Sequence, residues 1–286
     1  MKYTLLLGSH MSIAGGVEQA LYRGAALGCT AIQLFTSSNR QWNTKEFSPE
    51  SVANFKQAKK ETGITTIIAH ASYLINLGSV STEIVQKSAQ ALYYELLRCN
   101  QLGIQYLVLH PGSGTLPATE CLKQIARELS QVLGEDTTNV MILLENTAGQ
   151  GTSVGYNFEQ LAYLRQSITR PERIGICFDT CHAFAAGYDF TTPQAYTALW
   201  DAFDKIIGLE HLKAMHINDS KKGLNSHVDR HEDIGKGCLG LEPFRLIMND
   251  KRFFDIPKIL ETPKDSPDED EMNLTVLKSL LCEEIR

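Results

Sequence analysis

YLVLHPGSGTLPATECLKQIARELSQVLGEDTTNVMILLEN (106–146) decides the architecture of this chain. It opens on YLVLH (106–110), an apolar run too short for a helix and apolar at both parities, as a strand buried on both faces is. The amphipathic segment ATECLKQIARELSQVLG follows and is expected to stop at Gly134. A second apolar run, VMILLEN (140–146), closes the stretch. Strand, crossover helix and strand make one parallel unit, because parallel neighbours need a long connection.

The same unit repeats in both directions. Further strands are expected at YTLLLGSH (3–10), AIQLFTS (31–37), TTIIAH (65–70), RIGICFDT (173–180), LKAMHIND (212–219) and DIPKILET (255–262). Between them lie VEQALYRGAALG, SPESVANFKQAKKETG, TEIVQKSAQALYYELLRCNQLG, NFEQLAYLRQSI, TPQAYTALWDAFDKIIG, LEPFRLIMNDKRF and SPDEDEMNLTVLKSLLCEEI. Ser48 with Pro49 reads as a helix start, and Gly63 and Gly103 as helix stops. The acidic run Asp268 to Glu271 fits the first turn of the last helix, where negative charge suits the dipole. Eight strands strictly alternating with eight helices over 286 residues point to an α/β fold, a single (β/α)8 TIM barrel spanning 1–286 with its active site at the C-terminal ends of the strands. An open doubly wound sheet is the alternative, but GSHMSIAGG after the first strand lacks the dinucleotide-binding glycine spacing.

Composition narrows the class. The chain is 43% hydrophobic with a net charge of −6, so it has no general basic signature of a nucleic-acid binder. Its seven cysteines are scattered and odd in number, which argues against a disulfide framework and for a reducing compartment. Cys177 and Cys181 flank a strand end and are expected to pack. The N-terminal apolar run is too short for a signal peptide, and no later run reaches membrane-helix length, so a soluble, cytoplasmic protein is expected.

The strand ends carry the chemistry. The third ends in His70, the fourth in His110, the fifth in Glu145 and the sixth in Asp179, with His182 just beyond. The seventh ends in His216 and its long loop, AMHINDSKKGLNSHVDRHEDIGKG (214–237), brings Asp229 and His231. The eighth ends in Glu261. A lone histidine at a strand end is more often a core residue than a ligand. Here five of the eight histidines share this placement, which independent packing residues would not do. Five imidazoles and four carboxylates exceed one metal's needs, since zinc takes about four ligands. Two or three ions follow. Mixed N and O donors favour Zn²⁺, with Mn²⁺ or Fe²⁺ possible. A multi-metal site activates water and clamps the oxygens of a phosphoryl transfer.

HASYLINLG (70–78), HPGS (110–113), ENTAGQG (145–151), DTCHAFAAGYD (179–189), MHINDS (215–220), DRHEDIGKG (229–237) and ILET (259–262) resemble the motifs of endonuclease IV, the type 2 apurinic/apyrimidinic endonuclease family. With HMSIAGG (10–16) and NRQW (39–42), the resemblance covers essentially the whole chain. It implies a trinuclear zinc cluster. His70, His110 and Glu145 hold the first ion. Glu145, Asp179, His216 and Glu261 hold the second, with Glu145 bridging. His182, Asp229 and His231 hold the third. The implied reaction is hydrolysis of the phosphodiester 5′ to an abasic site in double-stranded DNA, leaving a 3′-hydroxyl and a 5′-deoxyribose phosphate. Removal of 3′-blocking groups accompanies it. Glu145 and Glu261 are the implied catalytic carboxylates. Arg40, Tyr73 and Leu74 are expected to enter the duplex, and Arg230, with Lys221, Lys222 and Lys236, to meet phosphates. Three Zn²⁺ bring the net charge of −6 to about zero and concentrate positive charge on one face. One departure is Ala71, where the family often has an acidic residue. His10, His211 and His227 stay unassigned, His10 being placed to line the site floor.

Two other readings compete. A metal-dependent sugar isomerase or epimerase shares such a barrel, but the five-histidine set and the NRQW and SYLINLG loops favour the nuclease. A non-catalytic DNA-binding or metal-storage barrel fits poorly with open metal positions at strand ends. A monomer is expected.

Overall fold

Eight parallel strands carry the molecule, and they run in the order the sequence repeats. The computed structural model describes residues 5–39, 41–42, 45–264, 266 and 268–283. The barrel strands are β1 (Leu7–Ser9), β2 (Ala31–Phe35), β3 (Thr66–His70), β4 (Tyr106–Leu109), β5 (Met141–Glu145), β6 (Ile174–Asp179), β7 (Leu212–His216) and β10 (Lys258–Leu260). A short antiparallel ribbon, β8 (Asp219–Ser220) with β9 (His231–Glu232), lies within the loop after β7. The sheet order is β1-β10-β7-β6-β5-β4-β3-β2. The ring closes between β1 and β2: His10 bridges Gln33 in parallel, and the Met11 amide donates to the Gln33 carbonyl at 2.7 Å. The chain is a TIM barrel.

Helices wrap the outside, α1 (Gln19–Ala26), α2 (Pro49–Thr62), α3 (Thr82–Leu102), α4 (Ala118–Glu135), α5 (Phe158–Ser167), α7 (Pro193–Ile206), α8 (Glu242–Asn249) and α9 (Glu269–Ser279), while the buried turn α6 (Thr180–Ala185) follows the end of β6. Local chemistry sets most ends. The Ser48 side chain accepts from the Ser51 amide over Pro49, and Gly63 ends α2 at φ 72°. Ser81 accepts from the Ile84 amide and Gly103 ends α3 at φ 68°. Acidic Glu269, Asp270 and Glu271 fill the first turn of α9, as expected.

Three expectations are corrected. Helix α4 passes through Gly134 to Glu135. It ends where Asp136 turns extended, its carboxylate held at 2.5 Å by the buried Arg173 guanidinium. A tertiary ion pair, not the glycine, sets that end. The segment LEPFRLIMNDKRF is broken at Asp250, which accepts from the Arg252 amide and from the Tyr196 hydroxyl. Strict alternation also fails after β6, where α6 and α7 both precede β7.

Candidate metal centre

Alternate residues of each barrel strand face the interior. Ala31, Ile68, Val108, Leu143, Cys177, Ala214 and Ile259 pack together there as an apolar plug. Two residues further along the same strands stand Gln33, His70, His110, Glu145, Asp179, His216 and Glu261, at the C-terminal mouth. The plug is the floor of the site.

Nine imidazole and carboxylate side chains gather on this floor in three adjoining groups, and a fourth grouping brings the Cys181 thiol beside Asp179 and His231; within each the candidate donor atoms lie within 4.8 Å of one another. His70, His110 and Glu145 form the first; Glu145, Asp179, His216 and Glu261 the second; His182, Asp229 and His231 the third. The grouping coincides with the one the family resemblance implies. Glu145 belongs to two groups: Oε2 faces His70 Nε2 at 3.3 Å and His110 Nε2 at 3.0 Å, while Oε1 faces His216 Nδ1 at 3.0 Å.

The rings are oriented from behind. His70 Nδ1 donates to the Ala71 carbonyl at 2.7 Å, His182 Nδ1 to the Asn146 carbonyl at 3.0 Å and His231 Nδ1 to the Glu261 carbonyl at 2.9 Å. Each bond places the proton on Nδ1 and leaves the Nε2 lone pair facing the group. In the third group His182 Nε2 and His231 Nε2 face each other at 3.4 Å, with Asp229 Oδ1 at 3.2 and 3.5 Å. Two imidazole nitrogens and a carboxylate oxygen converging this closely need a proton or a cation among them. The donor set therefore fits a metal ion.

The electrostatics agree. Glu145, Asp179 and His216 are fully buried. Burial raises the Glu145 pKa, yet His216 and His110 hold the carboxyl well below the usual range. Burial also opposes charge on His182, yet Asp179 and Asp229 hold its pKa well above the usual imidazole value. The cluster demands positive charge, which a divalent cation supplies. The thiols stand aside: burial pushes both Cys177 and Cys181 up to about 12, so neither offers a thiolate at neutral pH. Both are buried, as expected of packing residues.

Local structure explains two placements. Asp179 caps α6, its Oδ1 accepting from the His182 amide at 2.7 Å, so one turn of helix carries His182 back over the site. The loop after β7 returns through the β8–β9 ribbon, which sets His231 opposite Ser220. Buried Asp219 fixes that return by accepting from the amides of Gly235, Gly237 and Leu239 at 3.0 Å each. A Cβ at Gly237 would strike the Asp219 carboxylate, so the close approach requires glycine there.

Comparison with known proteins fixes the family. Residues 21–280 match the model of the xylose isomerase-like TIM barrel family. The chain is 48% identical over 278 residues to a protein of Geotalea daltonii named "Probable endonuclease 4", covering 96% of this chain and 98% of that one. The chain belongs to the endonuclease IV family. That makes it a DNA-repair endonuclease, a hydrolase. The crystal structure of endonuclease IV from Thermus thermophilus superposes with a TM-score of 0.84 at 39% identity, covering 96% of this chain and 98% of the other. A D-tagatose 3-epimerase-like protein shares only the fold, at 18% identity and a TM-score of 0.70 over 97% of this chain and 98% of that one.

At Ala71 the backbone carbonyl, not the side chain, receives the His70 proton. Tyr73 is 58% exposed and its ring stands 5.3 Å from that of His70 and 5.8 Å from that of His110. Leu74 is half-buried beside it. Arg230 is exposed, with Nη1 on the Asp229 carbonyl at 2.7 Å. Arg40 lies outside the described residues. Lys236 is held by Asp233 at 2.9 Å and Lys221 lies 3.8 Å from Glu232. Lys222 is exposed. His10 lies against Glu261, Nδ1 to Oε1 3.4 Å, and so lines the site. His211 pairs with Glu210, and His227 with the Ala148 carbonyl.

Sequence reading missed three residues that organise the centre: Gln33, Asn146 and Asn218. Asn218 donates to Asp179 Oδ2 at 2.7 Å and accepts from the Glu261 amide at 2.7 Å. Asn146 pairs both ways with the Asp179 backbone. One signal was available for Gln33, the lone polar residue at the inward parity of AIQLF. Among the described residues no helix is long and apolar enough to cross a membrane.

Proposed function

We propose that this protein cleaves the DNA phosphodiester on the 5′ side of abasic sites with three divalent metal ions, Zn²⁺ foremost with Mn²⁺ or Fe²⁺ able to substitute. The products are a 3′-hydroxyl and a 5′-deoxyribose phosphate, and 3′-blocked ends are further substrates. The observation that carries the reading is the meeting of imidazole and carboxylate donor atoms in three adjoining groups, the first two sharing Glu145. The ions, when bound, supply activated water and neutralise phosphate charge.

The chain's own residues do the rest. His70, His110 and Glu145 define the first position, Glu145, Asp179, His216 and Glu261 the second, and His182, Asp229 and His231 the third. Glu145 sets the spacing of the first two. Glu261, with one oxygen 3.1 Å from His216 Nδ1 and the other turned to Gln33, orients the attacking water and takes its proton. Solvent reaches the third group, where the Asp229 side chain is 43% exposed, and an ion held there by His182, Asp229 and His231 would offset charge on the leaving 3′-oxygen. Tyr73, Leu74 and Arg40 enter the duplex and draw out the abasic nucleotide, which costs least where no base is stacked. Arg230 meets a phosphate. The catalytic unit is one domain, 1–286, acting as a cytoplasmic monomer.

The test is metal analysis of the purified protein together with cleavage of a duplex carrying one abasic site and an undamaged control. Bound transition metal with cleavage confined to the abasic strand is expected, and binding of that duplex is expected to weaken steeply with salt despite the net charge of −6. Absence of bound metal, or equal cleavage of both duplexes, would overturn the reading.

A further inference from the structure

Gln33 sits at the inward parity of β2, two residues above Ala31 of the plug, in the ring position that other strands fill with ligand-type side chains. It is fully buried and uses both ends of its amide. Its Oε1 accepts from His216 Nε2 at 2.8 Å. Its Nε2 donates to Glu261 Oε1 at 2.5 Å and lies 3.0 Å from His10 Nδ1.

The two bonds act on opposite sides of one metal position. An imidazole with Nε2–H held by a carbonyl-type oxygen keeps its lone pair on Nδ1, and His216 Nδ1 is the atom that faces Glu145 Oε1 at 3.0 Å and Glu261 Oε2 at 3.1 Å. His216 is therefore turned the other way from His70, His182 and His231, whose backbone bonds occupy Nδ1. For His216 a side chain from a strand across the barrel performs that task. The donor bond to Glu261 Oε1 leaves Oε2 as the oxygen toward the centre. A carboxylate cannot replace this amide: it would accept from His216 but repel Glu261.

We propose that Gln33 is a positioning residue of the second metal position, selecting the His216 tautomer with its carbonyl and the free oxygen of Glu261 with its amide. The proposal rests on the metal-centre reading above. Gln33→Met removes both bonds at similar volume. Gln33→Glu keeps the acceptor for His216 and removes the donor to Glu261.

Zn²⁺ is titrated into chelator-stripped wild type and variants in competition with a chromophoric chelator. kcat and KM are then measured at saturating Zn²⁺ on an abasic duplex, and thermal melting reports the fold. Gln33→Met is expected to weaken one Zn²⁺ equivalent about 10–100-fold and to lower kcat at unchanged KM. Gln33→Glu is expected to hold Zn²⁺ within about threefold of wild type while kcat stays down by about tenfold or more. That split between affinity and turnover is something a merely structural residue would not give. Wild-type Zn²⁺ affinity and kcat in Gln33→Met overturn the proposal, as does wild-type kcat in Gln33→Glu, the variant that carries the test alone if Gln33→Met does not fold. Wild-type protein that binds no Zn²⁺ overturns instead the metal reading on which it rests.

Discussion

Two residues separate two layers of the barrel that could hardly differ more. Ile68, Val108, Leu143, Cys177, Ala214 and Ile259 meet as a dry plug, and His70, His110, Glu145, Asp179, His216 and Glu261 follow on the same strands as a cluster of charge and lone pairs. The backbone is the same in both, so its regularity serves two ends. In the lower layer shape complementarity excludes water and fixes the strands. In the upper layer each buried polar group needs a partner, because an unpaired one is costly. Asn146, Asn218 and Gln33 exist there to supply partners. The plug makes the ring rigid, and the ring then holds donor atoms at separations that mobile side chains would not keep.

If the layers are as distinct as this, changes in the upper one must strike turnover and spare the fold. Glu261→Gln keeps size and removes charge. It is expected to lower kcat on an abasic duplex by on the order of 10²–10³-fold, with the melting temperature nearly unchanged. Turnover near wild type would remove Glu261 from the reaction.

The reverse substitution probes the plug. Ile68→Ala opens a cavity beneath His70 and is expected to cost about 2–5 kcal/mol in urea unfolding, with kcat per folded molecule within about twofold of wild type. A kcat loss well beyond that, in fully folded protein, would mean the floor tunes the site as well as supporting it.

A buried charge away from both layers sharpens the contrast. Lys258 is fully buried at the start of β10, and its ammonium donates to the carbonyls of Phe253 at 2.5 Å and Ile256 at 3.0 Å. Burial lowers its pKa from 10.5 to about 8, against the pull of Asp250 and Asp255. The folded protein thus binds fewer protons than the unfolded chain between these values, and stability rises with pH across that window. The effect saturates above the unfolded pKa, and below about 8 the full penalty of the buried charge is present. Relative to Lys258→Met, the wild type is expected to gain about 2–3 kcal/mol between pH 7.5 and 10. A pH-independent difference would show that the two carbonyls offset the burial.

Much of this was legible in the sequence because its signals are local. Short continuous apolar runs, amphipathic stretches and the caps at Ser48, Gly63 and Gly103 depend on neighbours a few residues away, and together they define a barrel. The ligand-type residues were legible because a barrel sends all its strand ends to one mouth. Helix α6 is hidden in the sequence because Asp179 both ends a strand and caps the helix, so one residue carries two signals. The end of α4 at Asp136 escaped because Arg173, which fixes it, lies 37 residues away.

The sequence by itself determined the eight barrel strands, the mouth at which chemistry collects and the residue types placed there. Tertiary structure alone decided which atoms of those residues face inward. His216 presents Nδ1, unlike its neighbours, because Gln33 from 183 residues away takes its other nitrogen. Backbone periodicity fixes the direction of a side chain, but the choice between two nitrogens or two oxygens falls to hydrogen-bond partners across the barrel.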